Sequence, residues 1–244
     1  MIKPNNNLNL NEIQKFSDNA HEWWNESGPY QSLHKINIAR LSYIKELLIT
    51  HFKNDPSPSL PLQDLSILDV GCGGGLIAEP LSRLGASITG IDPSTENISI
   101  AKEHAAQFGL DILYSSCTLE DLKDQRTYQV VLALEVLEHV PSPEAFLSLC
   151  FEKTAPGGLC IFATFNRTLK SYLEGIIAAE HILKWVPKGT HHWSHFLKPA
   201  ELYHLLKKVG FQDISFKGLN FSILKNEWTL SDTLEVNYLG YALK

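Results

Sequence analysis

At 244 residues with 44% hydrophobic content, the chain is long enough to bury a sizeable core as one domain with additions. Its formal net charge of −6, its pI near 5.9 and the lack of any Lys/Arg run exclude a nucleic-acid backbone as the main partner, because phosphate neutralisation needs clustered cations. Cys72, Cys117, Cys150 and Cys160 form no C-x-x-C pair, which sets aside a disulfide framework and a zinc site in favour of small buried apolar groups in a reducing compartment.

In chain order, the Asn-rich start up to Asn9 reads as disordered. It carries neither a signal h-region nor an Arg-rich transit pattern, and no stretch offers about 18 uninterrupted apolar residues. The expected location is cytoplasmic, at most peripheral on the inner face of a membrane. Leu10, Ile13, Phe16, Ala20, Trp23 and Trp24 recur at helical spacing, and the adjacent tryptophans serve packing or wall a pocket. Residues 36–52 form a second helix and 55–61 a Pro-rich linker. Residues 1–61 are thus a helical cover, and 62–244 the main domain.

That domain opens with an aliphatic run, Ser66 to Val70, then Gly71-Cys72-Gly73-Gly74-Gly75, then helical spacing from Leu76 to Leu84. This is strand, tight turn, helix, with glycines where the backbone must stay open to a ligand. A second strand, 87–91, ends in Asp92, about 20 residues after the first glycine, where an acidic residue meets a ribose diol. Helix 96–108, strand 112–114, strand 127–134, helix 143–154 and strand 159–165 follow. The alternation predicts an α/β fold with a doubly wound, mostly parallel seven-stranded sheet. Residues 211–216 and 236–243 would close it as an antiparallel hairpin at one edge. Between them and the alternation lies a helical insertion, 168–197.

The glycine turn alone is ambiguous. Gly73-x-Gly75-x-x-Ala78 satisfies a loose dinucleotide fingerprint, so an NAD-dependent oxidoreductase is a rival. Asp69 points elsewhere, because a carboxylate at the strand end suits the ammonium of an amino-acid moiety better than a pyrophosphate. Asp69, Gly71, Gly73 and Asp92 together favour S-adenosylmethionine (SAM). If the segment after the fourth strand is helical, Glu135, Glu138 and His139 share one face, where they could hold a divalent ion (Mg or Zn), supply a general base, or simply form a solvated helix start. His191, His192 and His195 read as lid or surface rather than a metal site. Tyr172, Leu173, Ile176, Ile177 and Leu183 share one side of the inserted helix, and Lys170, Lys184, Trp185 and Lys188 flank it. The pattern suits an anionic membrane surface. Another small-molecule methyltransferase and a non-catalytic lipid-binding module remain alternatives.

Leu68 to Gly75 with Asp92 resembles the class I SAM-dependent methyltransferases. A narrower resemblance rests on 16–24, Leu33 to Asn37 with Arg40-Leu41, Glu135 to Val140, Thr164 to Lys170, and Ala179-Glu180 through Val186 to His191. These are similar to the ubiquinone-biosynthesis O-methyltransferases, which methylate polyprenyl catechol-type intermediates and demethylubiquinol, and the similarity runs from Glu12 to Tyr241. It implies that Arg40, Gly71, Asp92 and Leu134 contact SAM, and that Glu135, Glu138 and His139 match positions that bind a divalent metal in some members. It also implies a polyprenyl catechol substrate and, as partners, other ubiquinone-biosynthesis enzymes. His139 or Glu138 would take the phenolic proton. Ser32, Lys35 and His192 depart from the Pro, Arg and Asp common at these positions.

Overall fold

The computed structural model describes residues 17–56, 59–172, 193–222 and 226–244. Among the described residues eight strands form one sheet: β1 Ser66–Val70, β2 Ser87–Asp92, β3 Ile112–Ser116, β4 Tyr128–Leu134, β5 Thr154–Phe165, β6 Gln212–Ser222, β7 Glu227–Ser231 and β8 Asn237–Leu243. Their order is β3-β2-β1-β4-β5-β8-β6-β7. The first five run parallel, and β8 lies antiparallel between β5 and β6.

The expected seven strands are therefore eight. The additional one, β7, is exposed or half-exposed along its whole length, so it carries no apolar run by which to recognise it. It also corrects the expected hairpin: β6 turns back into β7, while β8 threads inward to the edge of β5.

Alternation within the strands decides what covers each face. Ile67, Val130 and Leu132 point into one core with Ile44 and Leu48 of α1 (Gln31–Phe52), Leu81 of α2 (Ala78–Arg83) and Ala101 of α3 (Thr95–Gln107). Leu68, Val70, Val131 and Ala133 point the other way, against Leu147 and Cys150 of α4 (Pro143–Lys153) and Leu202 and Leu206 of α5 (Pro199–Val209). Strands buried on both faces read as continuous apolar runs, as β1 and β4 do. Each such fully buried aliphatic side chain contributes about 1.5–3 kcal/mol. Ser94 and Ser142 cap α3 and α4, their hydroxyls accepting from the N–H of Asn97 and Ala145.

In α1, Ile36, Arg40, Ile44 and Leu48 are buried at intervals of four, which places a guanidinium in an otherwise apolar row. Ahead of α1 the described chain makes a 3-10 turn, Ala20–Glu22. Leu10, Ile13 and Phe16 of the expected leading helix lie outside the described residues, as do Leu173, Ile176, Ile177, Leu183, Lys184, Trp185 and Lys188 of the inserted one. Its described beginning is the turn Leu169–Ser171, closed by a Thr168–Ser171 capping box. Among the described residues no helix is long and apolar enough to cross a membrane.

Candidate active site

The parallel strands end where β1 gives way to the glycine turn. The N–H groups of Gly71 and Cys72 both donate to the Ile91 carbonyl, at 2.8 and 3.0 Å, tying the turn to β2. Gly71 and Gly73 sit at φ +71° and +53°. Both are also crowded: a Cβ on Gly71 would come 2.7 Å from Val136, and one on Gly73 2.6 Å from the Trp23 ring. Glycine is thus required twice over, for conformation and for space.

Asp92, at the end of β2, is buried. Its Oδ2 accepts from Gly73 N–H at 3.0 Å, and its Oδ1 accepts from Ser94 N–H at 2.9 Å and Asn97 Nδ2 at 3.2 Å. Burial raises its pKa, and these hydrogen bonds pull it back. Asp69 is buried as well, but its Oδ2 has no hydrogen-bond partner among the described residues. Burial, and then the Asp92 charge, push its pKa up to about 7. A buried carboxylate left open beside a second one fits a cationic ligand group, which relieves both costs.

The cover closes over this turn. Trp23 stacks on Tyr30 at 4.1 Å and donates from Nε1 to Asn97 Oδ1 at 2.8 Å, while Trp24 donates to the Gly74 carbonyl at 3.0 Å. Trp24 also stacks on His104, whose Nδ1 lies 2.7 Å from the buried Glu79 carboxylate. The tyrosine hydroxyl feels the site too: burial and the Asp92 charge push Tyr30 up to about 12.

At the end of β4, Leu134 is followed by Glu135 at φ +57°, a left-handed conformation rare for a glutamate. With this backbone the condition for a shared helical face over 135–139 is not met. The segment is a turn, so Glu135, Glu138 and His139 do not line up on one helical face. Glu135 forms an ion pair with the buried Arg40 Nη2, and its N–H donates to the Ala163 carbonyl at 2.9 Å. Glu138 is buried and its Oε2 accepts from Thr164 Oγ1 at 2.7 Å, leaving Oε1 without a partner among the described residues. His139 follows on the same turn, its N–H donating to the Val136 carbonyl at 2.9 Å. No three His, Cys, Asp or Glu side chains among the described residues are gathered as a metal site. The donors as placed do not fit a divalent ion. His195 lies in the turn Trp193–His195, and His191 and His192 lie outside the described residues.

The structure thus brings Asp69, Gly71, Gly73 and Asp92 to one turn and joins Arg40 to Glu135 at the end of β4. The sequence reading did not single out Asn97, and it named Thr164 only as the first residue of the stretch Thr164 to Lys170. Asn97 was detectable, because Ser94-x-x-Asn97 is a helix start that folds back on the strand-end aspartate. Nothing local marks Thr164 as the partner of Glu138.

Comparison with known proteins gives this geometry a family. A model described as a methyltransferase domain matches residues 36–215. The ubiquinone biosynthesis O-methyltransferase of Cereibacter sphaeroides (strain ATCC 17025) is 46% identical over 235 residues, covering 96% of this chain and 95% of its own. The protein of that name from Pelagibacter ubique is 44% identical and covers 98% and 99%. Among solved structures, a SAM-dependent methyltransferase from Thermotoga maritima superposes with a TM-score of 0.64 at 19% identity, covering 96% and 99%. Magnesium protoporphyrin IX methyltransferase from Synechocystis PCC 6803 with bound SAM gives 0.57 at 17%, covering 97% and 85%, and both show a shared fold. The dinucleotide-dependent oxidoreductase drops out, and the chain belongs to the methyltransferase-domain family and, within it, to the ubiquinone biosynthesis O-methyltransferases.

Proposed function

We infer that the protein is a SAM-dependent O-methyltransferase of ubiquinone biosynthesis, acting on a phenolic hydroxyl of polyprenyl catechol-type intermediates and of demethylubiquinol. The observation that carries the reading is the pair of buried carboxylates under the glycine turn, Asp69 open and Asp92 already holding the turn. When bound, SAM supplies a methyl group activated on a sulfonium. In this reading Asp92 accepts from the ribose diol, Asp69 meets the ammonium, and Arg40 answers the carboxylate. Gly71, Gly73 and Leu134 give the backbone and apolar wall between them.

The protein's own work is then to align the acceptor and remove its proton. His139 and Glu138, on the turn after β4, are the proposed proton acceptors, and Thr164 holds the Glu138 carboxylate in place. A divalent ion on Glu135, Glu138 and His139 would require Glu135 to leave Arg40, so no step is assigned to one.

Residues 1–61 are proposed as the cover over the cofactor, supported by Trp23 and Trp24 on the glycine turn, with 62–244 as the catalytic domain. Residues 168–197 are proposed as the membrane and substrate entrance. Leu169, Tyr172 and Trp193, at its described edges, are exposed by 73%, 41% and 40%, an apolar presentation that suits an interface. The test is acceptor-dependent formation of S-adenosylhomocysteine. A prenylated catechol should drive it in a saturable manner, and its absence with every prenylated phenol offered would reject the reading.

A further inference from the structure

Among the described residues three donors hold Asp92, and they divide between its two oxygens. Gly73 N–H donates to Oδ2 at 3.0 Å, whereas Ser94 N–H and Asn97 Nδ2 both donate to Oδ1, at 2.9 and 3.2 Å. Gly73 and Ser94 act through the backbone, so Asn97 supplies the side-chain donor. A carboxylate offers about four lone-pair sites, and this division leaves Oδ2 the more open oxygen for a ligand hydroxyl. Burial pushes the Asp92 pKa up, and the bonds from Ser94, Gly73 and Asn97 oppose that by favouring the ionised form.

Asn97 is 2% exposed and is the third residue of α3. At that position a polar side chain ordinarily returns to the N–H of the capping residue. Here the cap is made without it: Ser94 Oγ accepts from the Asn97 N–H at 3.1 Å, and the Ser94 N–H is already given to Asp92. The Asn97 amide is instead strung between Asp92 and the cover, its Oδ1 accepting from Trp23 Nε1 at 2.8 Å. That bond decides which way the amide faces. An indole N–H only donates and a carboxylate only accepts, so the reversed amide would set NH2 against N–H and oxygen against oxygen. The same indole lies 2.6 Å from where a Cβ on Gly73 would stand, and Ser17 Oγ lies 2.8 Å from Ser94 Oγ. The cover therefore touches each of the three residues that hold Asp92: Gly73 and Asn97 through Trp23, and Ser94 through Ser17.

We propose that Asn97 is a positioning residue for the cofactor ribose: fixed by Trp23 when the cover is closed, it turns the Asp92 carboxylate so that the diol can donate to it. The cover is then part of ribose recognition as well as a shield. The proposal rests on the reading of Asp92 as the carboxylate that meets the ribose diol.

It is tested by calorimetric titration of S-adenosylhomocysteine, and of its counterpart lacking both ribose hydroxyls, into the wild type, Asn97→Asp, Asn97→Leu and Trp23→Phe. Asn97→Asp keeps an acceptor for Trp23 and removes the donor to Asp92, whereas Trp23→Phe keeps the donor and removes what fixes it. The wild type should prefer the diol by about tenfold or more, as expected for hydrogen bonds to a charged group. In both Asn97 variants that preference should fall by at least about threefold, through weaker binding of the diol alone. Trp23→Phe should lower it in the same direction by less. A merely structural Asn97 would weaken both ligands equally and leave the preference intact, and that outcome would overturn the proposal. So would a wild-type preference in Asn97→Asp, which would mean that Asn97 serves only the cover, or in Trp23→Phe, which would remove the cover from ribose recognition. A wild type that binds both ligands equally would instead overturn the assignment of Asp92, and one that binds neither would overturn the functional reading, each taking this inference with it.

Discussion

The Trp23 indole lies against Gly73 so closely that a Cβ on that glycine would come within 2.6 Å of the ring. The same indole donates to Asn97, which in turn donates to Asp92, so the cover and the strand-end carboxylate are linked by two hydrogen bonds.

Gly73→Ala should therefore act on cover and turn together. The added methyl has to displace Trp23, and alanine is strained at φ +53°. The expected cost is about 1–3 kcal/mol in chemical denaturation, with a change in tryptophan emission and weaker SAM binding. A variant with wild-type stability and emission would show that the contact is not made in solution.

Asp69 makes stability depend on pH in a direction opposite to that of a salt-bridged aspartate. Its pKa is raised from the ordinary 3.8 to about 7. Between these values the folded protein holds a proton that the unfolded chain has lost, so stability conferred by neutral Asp69 is complete below about pH 4 and declines as pH rises through 7. Asp69→Asn should remove this slope, and its stability relative to the wild type should rise by on the order of 2–4 kcal/mol between pH 4 and pH 8. Binding a cation beside Asp69 should also expel a proton near pH 6, giving a binding heat that varies with the buffer. Parallel pH profiles for the two proteins would contradict the assignment.

Arg40 and Glu135 should behave as one unit. The Arg40 side chain is 3% exposed and that of Glu135 19%, so Glu135→Gln strands a buried guanidinium. A loss of about 2–4 kcal/mol is expected, less than for a fully enclosed pair. Glu135→Gly should lose less than Glu135→Gln, because glycine relieves the left-handed backbone. A double-mutant cycle with Arg40→Met should give a coupling of at least about 1 kcal/mol, and additive losses would deny the ion pair.

Much of this was legible in the chain, for physical reasons that differ by element. β1 and β4 announced themselves because both their faces are buried, and the glycine turn because few other residues tolerate its backbone and its crowding. β7 was silent, since a solvated edge strand needs no apolar pattern. That 135–139 is a turn and not a helix has a single cause. Glu135 takes a conformation that tertiary contacts impose, through Arg40 and the Ala163 carbonyl, and nothing local to Glu-Val-Leu-Glu-His predicts it.

The central claim, methyl transfer from SAM to a ring oxygen, is tested most directly with deuterated methyl donor. Incubation with a prenylated catechol, followed by mass spectrometry and NMR of the product, should locate one labelled methyl on a phenolic oxygen. Asp92→Ala should bind SAM at least about tenfold more weakly and turn over correspondingly less at limiting cofactor. A product labelled on ring carbon, or unlabelled substrate recovered from a wild type saturated with SAM, would contradict the account.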